Sequence, residues 1–313
     1  MLDTLPTPIF SRVANAVRHL ILPALVLSSA ACDNPTEPVR PQPARPSFAR
    51  TAPGTSKGQI LVTSGSPELK QYLVDAAAGT VNQLTFGAGD YQAGSWSADF
   101  SKITYAKGLW GGLWIMDADG SNETQVLAMP VRSQVFSPDG KMIAFIANPA
   151  GNPAQVFTVD IATKVVTQVT NLPGIGLRVS WSFDGKKLLF ARLDGTSGNL
   201  FTIAPDGTNL KQITRCKMVC WDGQFSPDGT QIAFIYNDQV ATMAASGGQL
   251  KLFTSPKEPW PHWPTWSPKG DQLAYERYAP GYSDDIWVVD LANGTKKAVM
   301  TSRLDDTTPS WSR

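Results

Sequence analysis

The stretch VFSPDGKMIAFI, residues 135–146, contains the pattern that decides the fold. An aromatic residue and a serine precede Pro138, Asp139 and Gly140, where proline presets φ and glycine accepts positive φ, as a tight turn requires. The apolar run MIAFIA, residues 142–147, follows with the composition of a short β-strand. This stretch therefore predicts a β-hairpin.

The same unit occurs six times along the chain. Its aromatic residue, called here the anchor, is followed by serine in every copy: Trp96, Phe136, Trp181, Phe225, Trp266 and Trp311. The anchors are separated by 40, 45, 44, 41 and 45 residues. Two further short strands follow in each full copy, such as VFTVD at 156–160 and VTQVT at 166–170. Four antiparallel strands in a repeat of about 40 residues predict one blade of a β-propeller. The anchors are expected to pack between neighbouring blades.

The two ends of the repeat region are incomplete in complementary ways. Residues 58–85 contain the second, third and fourth strands of a blade, whereas DTTPSWSR, residues 306–313, supplies only a first strand. Pairing of these fragments would close the ring and remove its open sheet edges. The sequence therefore predicts an all-β, six-bladed propeller over residues 58–313, closed by pairing the C-terminal strand with the N-terminal blade.

Residues 1–57 lie outside the repeats. Arg12 and Arg18 precede the apolar run LILPALVLSSAA, residues 20–31, which is too short for an ordinary transmembrane helix and predicts a signal peptide over residues 1–31. Residues 32–57 are rich in proline, without periodicity, and predict a disordered linker.

The residues that end the apolar run resemble the lipobox of bacterial lipoproteins, because small residues lead directly into Cys32. The fit is imperfect, since Ser29 stands where the family prefers leucine. The resemblance implies acylation of Cys32 and attachment to a membrane through this N-terminal lipid only. The alternative is ordinary secretion with Cys32 unmodified.

Composition argues against several kinds of partner. The chain has 27 Lys and Arg against 26 Asp and Glu, with no long basic run, so nothing favours nucleic acid. The pattern DADG at residues 117–120 falls in a predicted hairpin turn, and no metal site or cofactor is expected. Cys216 and Cys220 predict a local disulfide in a bent loop, because residues four apart on a straight strand are too distant to bridge. The chain is expected to be a monomer.

The loops before the anchors are expected to ring one mouth of the central channel. The residues predicted to bind there are Arg132, Arg178, Trp221, Asp222, Trp260, His262 and Trp263, with Tyr278 and Tyr282 from a neighbouring loop. Aromatic side chains gathered on one surface favour the recognition of a protein or peptide. They would also suit a carbohydrate.

Catalytic patterns are scarce in the chain. Beyond the signal segment the sole histidine is His262, so no catalytic residues are predicted and the chain is not expected to be an enzyme. The alternative function is a carbohydrate-binding or carbohydrate-cleaving propeller that uses the aromatic loops with Asp284 and Asp285 as acid and base.

The repeats FSPDG and IAF, intact at residues 136–145 and 225–234, resemble those of TolB-type, WD40-like propellers over essentially all of residues 58–313. TolB is a periplasmic component of the Tol-Pal envelope system, and its propeller docks a peptidoglycan-associated lipoprotein. Its N-terminal α/β domain is replaced here by the linker, so the resemblance does not extend to a Tol-Pal role. It implies the propeller fold and the binding of a protein or peptide. Together with the lipobox, it predicts a lipid-anchored protein of the bacterial cell envelope, periplasmic or surface-exposed.

Overall fold

The computed structural model describes residues 58–65, 68–108, 111–148, 153–195, 197–258, 260–278, 284–302 and 304–312. The expectations for the signal peptide, the linker, Cys32 and Tyr282 fall outside these ranges. Within them, 24 strands form six four-stranded antiparallel sheets, and no helix occurs in the part of the chain so described. The prediction of a six-bladed all-β propeller is confirmed.

The strands of blades 1 to 3 cover the N-terminal half of the ring. Blade 1 contains β1 (Gln59–Ser64), β2 (Lys70–Asp75), β3 (Thr80–Gln83) and the last strand, β24 (Asp306–Trp311). Blade 2 contains β4 (Tyr91–Trp96), β5 (Lys102–Lys107), β6 (Gly112–Asp117) and β7 (Thr124–Leu127). Blade 3 contains β8 (Arg132–Phe136), β9 (Met142–Ala147), β10 (Gln155–Asp160) and β11 (Val166–Gln168).

Blades 4 to 6 have the same order. Blade 4 contains β12 (Ile175–Trp181), β13 (Leu188–Asp194), β14 (Ser197–Ile203) and β15 (Lys211–Gln212). Blade 5 contains β16 (Cys220–Phe225), β17 (Gln231–Tyr236), β18 (Gln239–Ala244) and β19 (Lys251–Leu252). Blade 6 contains β20 (Trp260–Trp266), β21 (Gln272–Tyr278), β22 (Asp285–Asp290) and β23 (Lys296–Met300). The anchor strands β24, β4, β8, β12, β16 and β20 each form one edge of their sheet, and they surround the channel.

The ring is closed in blade 1, where β24 pairs antiparallel with β1. Trp311 lies opposite Ile60, and the hydroxyl of Ser312 accepts from the backbone N–H of Gln59 at 3.0 Å. The N–H of Ser312 in turn donates to the carbonyl of Gln59 at 2.7 Å. Closure by pairing of the C-terminal strand with the N-terminal blade is therefore confirmed.

The anchors pack where neighbouring blades meet. The indole Nε1 of Trp181 donates to the carbonyl of Val135 in blade 3, and that of Trp266 donates to the carbonyl of Gln224 in blade 5. The Nε1 of Trp96 likewise donates to the carbonyl of Ser310 in blade 1. Three of the four tryptophan anchors thus add a hydrogen bond between blades to the apolar surface that they bury.

The serine after each anchor stabilises the following turn. The hydroxyl of Ser137 accepts from the backbone N–H of Met142 at 2.9 Å and donates to the carboxylate of Asp139 at 2.6 Å. These bonds lower the pKa of Asp139 below its usual range, the bond from Ser137 being the largest cause. The hydroxyls of Ser97, Ser182, Ser226 and Ser267 make equivalent pairs of bonds in their own turns. The repeated aromatic-serine pair therefore couples packing between blades to the geometry of the turn.

Candidate functional site: the two faces of the channel

The central channel separates two faces of the ring. The turns that follow the anchors lie on one face, called here the turn face, and the loops that lead into the anchor strands lie on the other, the loop face. Each anchor strand contains a β-bulge that includes the third residue before the anchor. These six residues form the bulge layer: Ala93, Ser133, Arg178, Asp222, Trp263 and Thr308. All except Arg178 have φ between 49° and 53°, a conformation that costs non-glycine residues free energy.

Two members of the bulge layer meet across the channel. The Nη1 of Arg178, in blade 4, donates to the carbonyl of Pro264, in blade 6, at 2.7 Å. Its guanidinium carbon lies 5.5 Å from the centre of the Trp263 ring, within range of a cation-π interaction. Burial lowers the pKa of Arg178 to about 10, an effect that the charge of Asp222 opposes. These contacts link blades 4 and 6 past the intervening blade.

The neighbouring residues predicted at the mouth form a packed network. The carboxylate of Asp222 accepts from the backbone N–H of Trp263 at 3.3 Å and lies 3.8 Å from Nδ1 of His262. The rings of Trp221 and His262 pack edge to face, with their centroids 5.2 Å apart. Trp221, Asp222 and Arg178 are all buried. These residues predicted at the mouth therefore contact one another in a packed network.

A second aromatic pair lies at the loop-face ends of β20 and β21. Trp260 and Tyr278 are opposite each other in the sheet, and their rings stack with centroids 5.8 Å apart. Both side chains are half-buried. Arg132, on the opposite side of the ring, is also half-buried and hydrogen-bonds the side chain of Asn148. Of the predicted residues, Trp260 and Tyr278 thus form a partly accessible aromatic pair.

Three buried carboxyl groups lie where the loop face joins blades 6 and 1. Glu276 accepts from the backbone N–H of Thr308 at 3.2 Å, and the carbonyl of Asp284 accepts from the N–H of Asp306 at 3.1 Å. Asp284 is 1% exposed and Asp306 is 0% exposed. Burial raises the pKa of each of these two aspartates to about 7, and burial followed by the charge of Asp284 raises the pKa of Glu276 well above its usual range. Burial thus favours the neutral form of all three carboxyl groups.

Sequence reasoning missed Glu276 and Asp306, although a signal for Glu276 was present. In the strands equivalent to β21, the position of Glu276 is occupied by Thr63, Ala106, Ile146, Ala191 or Ile235. An acidic residue at a strand position that is uncharged in every other blade indicates a special environment. The other acid considered earlier, Asp285, is half-buried, and burial raises its pKa while Arg277 opposes that rise.

On the turn-face side of the bulge layer, the channel encloses a cavity of about 1010 Å³. All six anchors contribute to its wall, together with five of the six bulge-layer residues, including Arg178 and Trp263. The turns supply its outer lining, including Asp139 and the exposed ring of Phe183. The cavity therefore runs from the contact between Arg178 and Trp263 to the turn face.

The predicted disulfide forms at the start of blade 5. Cys216 and Cys220 are joined by a disulfide, with Cα atoms 6.1 Å apart, in a bent segment that leads into β16. The described residues contain no group of three or more His, Cys, Asp or Glu side chains placed to hold a metal ion. No helix long and apolar enough to cross a bilayer occurs in the same part of the chain.

Comparison with known proteins identifies similar repeats. The family described as TolB beta propeller domain matches residues 111–313. An uncharacterised protein of Agrobacterium fabrum is 28% identical over 164 residues, which cover 46% of this chain and 54% of that protein. The Tol-Pal system protein TolB of Francisella tularensis subsp. mediasiatica is 36% identical over 107 residues, which cover 33% of this chain and 24% of that protein. The matches thus span about half of the first relative and about a quarter of the second.

A solved structure has the same architecture. TolB from Acinetobacter baumannii superposes with a TM-score of 0.72 at 20% sequence identity, covering 83% of this chain and 68% of that protein. At this level of identity the likeness concerns the fold.

Proposed function

The chain belongs to the TolB β-propeller domain family, and from this premise we propose that it binds a protein or peptide through the loop face of its channel. It does so outside the cytoplasm, in the bacterial cell envelope, as a monomer held to a membrane by a lipid on Cys32. The relatives named as Tol-Pal system proteins support a role in the envelope. The disulfide between Cys216 and Cys220 also suits an oxidising compartment.

The observation that carries the proposal is the group of aromatic side chains on the loop face that the repeat does not require. Trp260 and Tyr278 stack together beside the edge-to-face pair of Trp221 and His262. The anchors already supply the packing between blades, and none of these four residues is an anchor. Partly exposed tryptophan and tyrosine side chains that pack beside buried residues are common at the centre of protein interfaces.

Affinity capture from a cell-envelope extract tests this function. The intact protein should retain a partner that a Trp260→Ala, Tyr278→Ala double variant releases. Phe183→Ala is the matched control, because it removes an exposed aromatic ring from the opposite face. Retention of the same partner by the double variant would contradict the loop-face site, and so would its loss in the Phe183→Ala control alone.

The alternative is a carbohydrate-binding or carbohydrate-cleaving propeller. The stacked pair of Trp260 and Tyr278 would give a sugar ring an aromatic platform, and Asp284 has a pKa near neutrality, as acid catalysis requires. Asp284 is buried and is not among the residues that line the channel cavity, so binding is the stronger proposal. A glycan array and a turnover assay distinguish the two functions. Specific glycan binding that disappears in Trp260→Ala would replace the protein partner with a carbohydrate.

A further inference from the structure

Arg178 is a buried cation without a paired anion among the described residues. Its side chain belongs to a residue that is 9% exposed, and Nη1 donates to the carbonyl of Pro264. None of the described carboxylates lies within 4.0 Å of its guanidinium nitrogens. The acid with the largest influence on it, Asp222, accepts from Trp263 and faces His262 instead. Buried charges in proteins are normally paired, because an unpaired one retains its desolvation cost.

Arg178 contributes to the wall of the channel cavity, at the end opposite the turn face. The only described acceptor of its hydrogen bonds is the Pro264 carbonyl, which leaves most of the five N–H donors of the guanidinium for another acceptor. Thr265 and Thr308, both buried, line the same region. The cavity therefore has a cationic, hydrogen-bonding floor.

The wall between this floor and the turn face combines aromatic rings with serine, threonine, glutamine and aspartate side chains. Trp96, Phe136, Trp181, Phe225, Trp266 and Trp311 all contribute to it. The cavity volume, about 1010 Å³, is at the upper end of the range for pockets that enclose small ligands. An apolar group would bury its surface against the rings that remain partly accessible, those of Trp96 and Phe225, whereas a hydrophilic anion alone would leave them without contacts.

We propose that the channel is a binding site for an apolar ligand that ends in a carboxylate, which enters from the turn face and pairs with Arg178. A carboxylate fits the guanidinium fork through two parallel hydrogen bonds and neutralises the buried charge. The ligand that best matches the volume is the C-terminal end of a peptide with apolar side chains. A short-chain organic acid offers the same chemistry from another source. This site is distinct from the loop face and does not rest on the proposed function.

Two probes that differ in one group test the carboxylate. N-acetyl-glycyl-leucyl-leucine and its C-terminal amide are titrated into the full chain, and the indole N–H resonance of Trp263 is followed by NMR. The acid should shift this resonance saturably, because its carboxylate pairs with the guanidinium stacked on that ring. The amide should bind at least about tenfold more weakly, as expected for the loss of a charge-assisted pair.

Variants of two arginines localise the effect. Arg178→Gln should abolish the difference between acid and amide, and Arg178→Lys should retain part of it, since lysine keeps the charge but lacks the fork. Arg215→Gln is the matched control, because Arg215 is exposed and lies outside the channel wall. If Arg178→Gln does not fold, Arg178→Lys and the comparison of the two probes on the unaltered chain still test the carboxylate site.

A third probe, isovalerate, separates the two sources of a carboxylate. Tighter binding of the peptide acid than of isovalerate supports a peptide end, and equal binding supports a small organic acid. Equal affinity for the peptide acid and its amide would overturn the carboxylate site while leaving the loop-face proposal intact. Absence of saturable binding by either acid, or binding unaffected by Arg178→Gln, would also overturn it.

Discussion

On the turn face, the carboxylate of Asp139 accepts hydrogen bonds from Ser137 and from the backbone of its own turn, whereas on the loop face Asp306 is fully buried beside other acids. The first arrangement lowers the pKa of the aspartate, and the second raises the pKa to about 7. The same side chain is thus stabilised as an anion on one face and as a neutral acid on the other.

The difference shows how the two faces divide their roles. The turn-face arrangement recurs in successive blades, so its charges are part of the architecture. The loop-face acids occur once, where blade 6 meets blade 1, and their near-neutral pKa values are typical of groups with a specific role. The acids with raised pKa values therefore lie together on the loop face, whereas the turn face repeats one arrangement of serine and aspartate.

Replacement of an anchor should have the largest effect. Trp266→Ala removes a buried indole and its hydrogen bond to Gln224, so we expect a loss of about 3–5 kcal/mol in the free energy of unfolding. The control is Trp260→Ala on the same strand, which should cost about 1 kcal/mol because its ring is half-buried and stacks on Tyr278. Denaturant titration measures both losses. Equal losses would remove the distinction between architectural and exposed tryptophans.

Removal of a loop-face acid should change how stability depends on pH. The pKa of Asp306 is about 7 in the folded protein and about 4 in an unfolded chain, so between these values the folded state alone keeps the proton. The free energy of unfolding therefore falls as pH rises through this window. Asp306→Asn lacks this dependence on pH. Between about pH 5 and about pH 8, its free energy of unfolding should therefore rise by about 2 kcal/mol relative to that of the unaltered chain, as measured by denaturant titration.

Asp139→Asn is the matched control from the turn face. Because the folded pKa of Asp139 is lowered, its stabilisation is complete above the unfolded value and is lost only as pH falls below it. The cost of this substitution should therefore be the same at about pH 5 and about pH 8. A constant effect of Asp306→Asn over the same range would show that the two faces do not differ.

The smallest effect is expected from the repeated serine. Ser137→Ala deprives the Met142 N–H and the Asp139 carboxylate of a hydrogen-bond partner, so stability should fall by about 1 kcal/mol. The pKa of Asp139, followed by NMR, should rise towards its ordinary value. Ser246→Ala, in an exposed turn, provides the control. An unchanged pKa of Asp139 would mean that the serine has no electrostatic role.

The ring and the turn face could be predicted from sequence because every blade repeats them. Anchor spacing gave the number of blades, and the incomplete ends indicated their closure. The aromatic-serine pairs marked the turns even where Asp271 replaces the usual acid and bonds to Ser267 in its place. Such features depend on contacts within one repeat or with the next, and a repeated pattern reveals both.

The contacts of the bulge-layer side chains and the positions of the buried acids could not be predicted in the same way. The partner of Arg178 is Pro264, 86 residues away in sequence and two blades away in the ring, and no repeat relates them. The positive φ of Trp263 decides where its ring lies, yet tryptophan rarely adopts that conformation and gives no warning of it. The repeat predicts which residues lie around the channel. It does not predict the contacts across the channel, because these join residues of different blades.

The hydrogen bonds between Gln59 and Ser312 make the two ends of the ring adjacent. A covalent link across this junction would leave every blade in place, so the chain could be reopened at another exposed turn. The turn at Gly247 and Gly248, between β18 and β19, offers such a point because both glycines already have positive φ and nothing packs tightly on it. Circular permutants should then retain the native arrangement of six blades, since the order in which the chain visits the blades is independent of the circle they form.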